Sequence, residues 1–293
     1  MTDSTAGKVP IIACVRDAWL FFAGNWKLFL PAAGIAALIS QLGLLLNLMA
    51  PADAQPTVLG LFVGDIVVMI PALLAGIAFT AAVFRKFLRN EYLGPTGLAA
   101  GPDELRLLGA FGALMCLFVP IVALVAIVLS ITVFSRFNAT PAEWNILLAD
   151  PEAMSAKLLE VLGEEGSAAL SLFIMIVFVV AMFVFVRLFL INAATMGERR
   201  IVLFQTWSWS RGNVLRMLGA ILLTGLPVML INNLAVNLVA SMVSASSAEQ
   251  GGGVLYLLAT TWLAFISMMT SIPATVLAGI FYKGLRPPEF VAK

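Results

Sequence analysis

Residues 168–191 have the sequence AALSLFIMIVFVVAMFVFVRLFLI, an apolar run interrupted by one serine and, near its end, by Arg187. A helix needs about 20 mostly apolar residues to cross the roughly 30 Å hydrocarbon layer of a bilayer, and this run is long enough. Five further runs meet the same requirement, at residues 28–48, 58–84, 107–134, 217–243 and 254–282. The sequence therefore predicts an all-α integral membrane protein with six transmembrane helices.

The composition supports this fold class. Hydrophobic residues make up 61% of the 293-residue chain and charged residues 11%, and the mean hydropathy is +1.03. Soluble domains are nearer half apolar and a quarter charged, and a fold of this size cannot hide so much apolar surface from water. We expect one membrane domain over residues 1–293, with a cytoplasmic interfacial segment at 1–27, an outer helical loop at 137–166 and a cytoplasmic tail at 284–293.

The basic residues indicate an orientation. All but two of the 17 lysines and arginines lie before the first span, between spans two and three, around the connection between spans four and five, or after span six. The exceptions are Arg136 and Lys157. Cytoplasmic loops carry the excess of basic residues, and the first residues, MTDSTAGKVP, do not resemble a cleaved signal peptide. The predicted location is the bacterial inner membrane, with multiple spans and both termini cytoplasmic.

Several function classes are disfavoured. The chain has no histidine, which removes the commonest metal ligand and the usual general base at neutral pH. Cys14 and Cys116 lie in different segments and form no CxxC pattern. A net charge of +1 argues against a nucleic-acid partner, which requires a concentrated basic face. We expect no enzyme activity, no metal and no cofactor.

An internal repeat indicates three tandem hairpins. Residues 27–32, 106–110 and 216–220 each begin with a basic residue, followed by two large apolar residues and then by small residues or proline. Two of these starts follow a similar stretch, 18–26 and 206–214, in which a tryptophan precedes a Gly-Asn pair by five residues. Because tryptophan favours the membrane interface and glycine favours helix ends, we expect interfacial amphipathic helices that end at Gly-Asn.

The outer loop contains two helix-start signals. Residues 140–143, Thr-Pro-Ala-Glu, match a capping box with proline at the first helical position. Asp150 and Pro151 repeat the signal of a cap followed by proline. Two short helices on the outer membrane surface are therefore predicted, either as a packing lid or as a cap that binds a partner or ligand.

Asp65 is the one acidic residue well inside a span. An intramembrane charge is costly and is a functional candidate by default. It follows Gly60 and Gly64, whose GxxxG spacing suits close helix contact. Asp65 is expected either to couple transport to protons or cations, to pair with Arg136, or to be wetted near the interface.

The fifth span carries a polar stripe. Asn233, Asn237 and Ser241 recur every four residues and share one helical face, with Asn232 beside them. Amides in lipid bridge helices or line a polar cavity, and both interpretations stay open.

A group of basic and aromatic residues around the connection between spans four and five is a candidate site for anionic lipid headgroups. Topology alone also accounts for such a group, and Arg187 could instead snorkel or pair with Asp17 or Glu198. The candidates are Arg187, Arg199, Arg200, Arg211, Arg216, Trp207 and Trp209.

Part of this region carries a resemblance. The runs at 187–191 (RLFLI), 197–201 (GERRI) and 207–213 (WSWSRGN) resemble a motif of uncharacterised bacterial multi-pass proteins, which are similar to the membrane domain attached to some glycerophosphodiester phosphodiesterases. The resemblance is strongest over residues 180–230. It implies the membrane fold and no phosphodiesterase activity, because that domain is not the catalytic part of the family.

Three functions follow as hypotheses. The first is a membrane protein without catalytic activity that binds or moves lipid or amphiphiles, or supports a membrane complex. The second is a secondary transporter coupled through Asp65, and the third is an enzyme acting on lipid headgroups. The expected partners are membrane lipids, together with a second copy of the chain or other membrane subunits.

Overall fold

A computed structural model describes residues 8–49, 58–132, 143, 150–246 and 252–287. These residues form helices and no strand, and six helical stretches are long and apolar enough to cross a membrane. The predicted all-α fold with six spans is therefore confirmed. The helices are α1 (Ile11–Ser40), α2 (Leu42–Met49), α3 (Val58–Phe84), α4 (Pro102–Thr132), α5 (Pro151–Leu188), α6 (Ile191–Glu198), α7 (Gln205–Trp209), α8 (Val214–Ser246) and α9 (Gly252–Leu285).

The two Gly-Asn pairs behave differently. At Gly212 the backbone is left-handed, with φ +79°, in the turn between α7, which ends at Trp209, and α8, so a left-handed residue separates the two helices as predicted. At Gly24 and Asn25 the prediction was wrong, because α1 continues through both residues. The Asn25 amide donates to the Phe21 carbonyl at 2.9 Å, a bond along the helix that does not compete with its continuation.

The end of α3 departs from regular helix. Residues Arg85–Arg89 form one π-helical turn, and Asn90 then adopts the left-handed conformation with φ +56°. The Glu91 amide donates to the Arg85 carbonyl at 3.2 Å, which closes the turn. A π-helical turn is frequent at functional sites, and the side chain of Arg85, the first residue of this turn, is buried.

The helix start predicted at Asp150 and Pro151 is confirmed. The Asp150 carboxylate accepts from the amides of Glu152 and Ala153 at 2.9 and 3.3 Å, which is the predicted cap of α5. Gly163, with φ 69° and ψ 178°, interrupts this helix, so a first segment precedes the apolar span. The helix predicted from residue 140 lies largely outside the described residues.

Contacts divide the chain into two compact units. The first comprises residues 1–110 and 186–293, and its main helices are α1, α3, α8 and α9. Its core contains large side chains of all four helices, which pack on the alanine-rich face of α1. Representative core residues are Phe29, Phe79, Met217, Leu277 and Phe281.

The second unit comprises residues 111–185, contributed by α4 and α5. These helices have the highest mean hydropathy of the six stretches, 3.0 and 3.1, and almost no buried residues. A groove of 290 Å³ lies between them, lined among others by Leu129, Leu162 and Phe173. The α5 helix ends at Leu188 and α6 begins at Ile191, and both lie within the apolar stretch Glu152–Glu198, which contains the range expected for the fourth span.

Candidate functional site

Charged residues converge at one end of the first unit, which we call the basic end. It consists of residues 85–106, 187–216 and 282–286. Contacts join all three segments: the Glu91 carboxylate lies 3.6 Å from Arg199, and the Lys283 ammonium donates to the Phe87 carbonyl at 3.1 Å. The basic residues that indicated orientation in the sequence thus form a folded structure.

Arg85 is the centre of this structure. Its side chain is 2% exposed and donates to the Glu104 carboxylate and, at 2.9 Å, to the Gly97 carbonyl. The second Glu104 oxygen accepts from the Gly101 amide at 3.0 Å, as the glutamate of a capping box does. One carboxylate therefore caps α4 and also compensates a buried guanidinium, which is costly to bury unpaired.

Asp103, next to Glu104 in the chain, contacts three arginines, one of which is Arg85. It binds Arg89 directly and Arg106 at 2.9 Å, and it lies 3.9 Å from Arg85. Arg89 also contacts Glu91 at 3.0 Å. These contacts join the π-turn to the first turn of α4, so the loop between spans two and three is held by charges at both its ends.

Glu198 makes a similar connection at the other side of the basic end. Its carboxylate accepts from the Tyr282 hydroxyl at 2.7 Å and lies 2.7 Å from the Arg286 guanidinium. Directly before it, Gly197 lies so close to the Tyr282 ring that a Cβ atom would overlap it. A larger residue at this position would therefore displace the Tyr282 ring, which packs α9 against α6.

Tyr92 connects the loop between spans two and three to α1. Its hydroxyl donates to the Leu28 carbonyl at 2.7 Å, and its ring packs edge-on against Phe29. Burial raises the pKa of the Tyr92 hydroxyl above its usual value, so this donor stays protonated at neutral pH.

Residues 199–211 form the outer surface of the basic end. Val202, Thr206, Trp209 and Ser210 are buried, which anchors the segment to the bundle. The opposite side exposes large apolar side chains, namely Ile201 (49%), Phe204 (66%) and Trp207 (38%). Exposed side chains of Arg199, Arg200 and Arg211 lie along the same segment. We call this exposed set the arginine-aromatic surface.

The predicted headgroup residues have different environments. Arg187 donates to the Trp207 carbonyl at 2.6 Å, and its guanidinium lies 5.0 Å from the centre of the Trp207 ring. Arg200 donates to Gln205 at 3.2 Å, whereas Arg216 is partly buried. Trp209 is 4% exposed and packs against Tyr282, so its ring lies in the bundle.

The polar residues of spans five and six meet through Asn232. Its amide donates to the Thr270 hydroxyl at 3.1 Å and accepts from the Ser267 hydroxyl at 3.1 Å. Asn233, Asn237 and Ser241, selected from the sequence, are exposed. The helix bridge is therefore made by the neighbour of the predicted stripe. A signal was present, because Asn232 lies two turns after Thr224, another residue of the buried face.

Asp65 lies within α3, but its side chain is outside the described part of the chain, as is Arg136. Its predicted roles stay predictions. Among the residues that the structure describes, no three His, Cys, Asp or Glu side chains are grouped as metal ligands. The segment 199–211 instead suits anion binding, since its exposed charged side chains are the guanidinium groups of Arg199, Arg200 and Arg211.

Comparisons with known proteins add no relative, since no family model, curated protein or solved structure matches the chain.

Proposed function

We propose that this chain is a non-catalytic protein of the bacterial inner membrane that binds anionic lipid headgroups on the cytoplasmic side. Both termini and the basic end lie in the cytoplasm in this proposal. The observation that carries it is the arginine-aromatic surface, on which exposed arginines lie on both sides of three exposed apolar side chains.

The apolar part of this surface argues for membrane contact. Phe204 and Ile201 expose about half or more of their surface at the charged end of the bundle, where water would contact them. Transfer of apolar area out of water contributes about 25 cal/mol per Å², and the boundary between headgroups and acyl chains removes such area. Trp207 is suited to the boundary between headgroups and acyl chains, because tryptophan concentrates at membrane interfaces.

The charged part argues for anionic lipids. A lysine or arginine near an anionic leaflet contributes about 1 kcal/mol, and a guanidinium binds phosphate through paired hydrogen bonds. Arg199 keeps 63% of its side chain exposed although it contacts Glu91. It therefore has surface left with which to reach a phosphate group.

A groove on α1 supports the same proposal. It has a volume of 710 Å³ and is predominantly apolar, and its lining residues are Arg16, Trp19, Leu20, Phe22, Ala23 and Trp26. The helix start lies next to the end of the 199–211 segment, since the Val9 amide donates to the Asn213 side chain at 3.0 Å. Aromatic walls with a basic residue at the edge suit an acyl chain below an anionic headgroup.

The proposal is tested with the full chain in nanodiscs containing equal phosphatidylglycerol and phosphatidylethanolamine. Native mass spectrometry measures the ratio of the two lipids that remain bound after gentle release. The triple variant R199Q/R200Q/R211Q should lower the preference for phosphatidylglycerol at least tenfold, since three contributions of about 1 kcal/mol exceed the 1.4 kcal/mol of a tenfold change.

Two further variants separate the effect of the arginines from that of a remote charge and from that of the apolar side chains. Lys157→Gln removes a charge from the second unit, where Lys157 pairs with Glu160, and should leave the lipid ratio unchanged. The variant I201S/F204S should reduce the total bound lipid while preserving the preference for phosphatidylglycerol. An unchanged ratio in the triple arginine variant would contradict the proposal.

A further inference from the structure

The outward face of α8 carries amides that the chain leaves exposed. Asn233 and Asn237 are both exposed on this helix, within the stretch Val214–Met242 that is apolar enough to cross a membrane. The Asn233 amide donates to the Met229 carbonyl of its own helix at 3.1 Å, which leaves its oxygen and second hydrogen available. Within the described part of the chain, no hydrogen bond is seen to the Asn237 amide.

The described apolar segments of α4 and α5 offer these amides no second amide. The α4 segment at residues 111–132 contains no amide side chain, and its hydroxyls are Ser130 and Thr132. The α5 segment at residues 168–185 contains Ser171 as its single hydroxyl and again no amide. Lipid tails offer no hydrogen bonds at all, so the amides require polar groups from another source.

A ridge of large apolar residues lies beside the amides. It consists of residues spaced four apart that are each between 55% and 65% exposed, namely Leu226, Leu230, Leu234, Leu238 and Met242. Asn233 and Asn237 form a neighbouring row with the same spacing. When such rows of two helices interlock, the helices cross right-handedly at about −40 to −50°.

We propose that α8 pairs with α8 of a second copy of this chain, with the amides of Asn233 and Asn237 bonded across a twofold axis. Copies inserted in the same direction place equivalent residues of α8 opposite each other around an axis along the membrane normal. A twofold interface requires a self-complementary surface, and an asparagine amide meets this requirement because it both donates and accepts. The leucine ridges then pack beside the amide pairs.

The first test measures the monomer–dimer equilibrium of the full chain in lipid bilayers by single-molecule photobleaching. The variant N233L/N237L keeps the helix apolar and should raise the dissociation constant at least tenfold. The matched control is T260V/T261V on α9, which also removes two polar groups. Both threonine hydroxyls already donate to carbonyls of their own helix, at 2.9 and 2.7 Å, so this control should leave the equilibrium unchanged.

A second test keeps one of the two amides in place. Single cysteines replace Asn233 or Asn237 in a chain whose Cys14 and Cys116 are alanine, and membranes are treated with a mild oxidant. Disulfide-linked dimers should form at these positions and not at Leu258→Cys, which is exposed on α9. A wild-type chain that stays monomeric, an N233L/N237L variant that dimerises normally, or equal cross-linking at Leu258 would each overturn the proposal. Association with a different protein through α8 would also overturn it.

Discussion

At the scale of single residues, buried charge governs the basic end. Arg85 is almost fully buried, and its guanidinium is compensated by Glu104 and Gly97. From the sequence, Arg85 was one of several basic residues that mark a cytoplasmic boundary, and Glu104 carried no assignment. Their pairing could not be predicted, because it depends on the π-turn and on the path of the loop between them.

The substitution Arg85→Met should lower the free energy of unfolding by about 3–5 kcal/mol, since it leaves the Glu104 carboxylate buried without its partner. The double variant R85M/E104Q should recover part of this loss. The measurement is denaturant unfolding in detergent micelles. Arg16→Met, which removes an exposed pair with Asp17, should cost at most about 1 kcal/mol. Equal effects of Arg85→Met and Arg16→Met would refute the assigned role of Arg85.

Glycine substitutions test close packing in the same unit. Gly197→Ala should destabilise the protein by about 1–3 kcal/mol, because its methyl group would displace the Tyr282 ring. Gly24→Ala should stabilise it by about 0.5–1 kcal/mol, since the position is mid-helix with no atom within 4 Å of a Cβ. Thermal unfolding of both variants provides the comparison, and a stabilising Gly197→Ala would exclude the close contact.

At the scale of helices, local sequence determined some of the boundaries. The predicted range 58–84 coincides with α3, and the start of α5 follows the Asp-Pro signal at residue 150. These features arise from interactions within a few residues. The continuation of α1 through Gly24 and Asn25 could not be inferred locally, because Cys14 and Ala18 before them and Phe29 after them are buried, and packing on both sides outweighs the glycine.

Removal of the Asp150 cap tests the predicted start of α5. Asp150→Ala should destabilise the first segment of α5 by about 1 kcal/mol, because the amides of Glu152 and Ala153 lose their acceptor. Faster amide exchange at those two residues is the expected observation. Ser155→Ala, which removes a hydroxyl bonded to the Glu152 carbonyl, is the control, and equal exchange in both variants would contradict the cap.

At the scale of the whole molecule, the proposed orientation can be measured. Single cysteines replace Ser208 or Ser155, both exposed, in a chain whose Cys14 and Cys116 are alanine. A maleimide that cannot cross membranes should label Ser155→Cys on intact spheroplasts, and Ser208→Cys only after permeabilisation. Alanine at Ser208 and Ser155 gives the background signal. The reverse pattern of labelling would place the basic end outside the cell.

The sequence alone determined the six spans and the concentration of basic residues at particular connections, since hydropathy and span length act along the chain without reference to its fold. It also located the residues around Trp207 as a region of interest. The tertiary structure decided which of those residues are available: Trp209 packs into the bundle, whereas Phe204 and Arg211 remain on the surface. It likewise selected Asn232 to bridge α8 and α9. Burial and pairing depend on neighbours distant in sequence, and only the packed bundle brings those neighbours together.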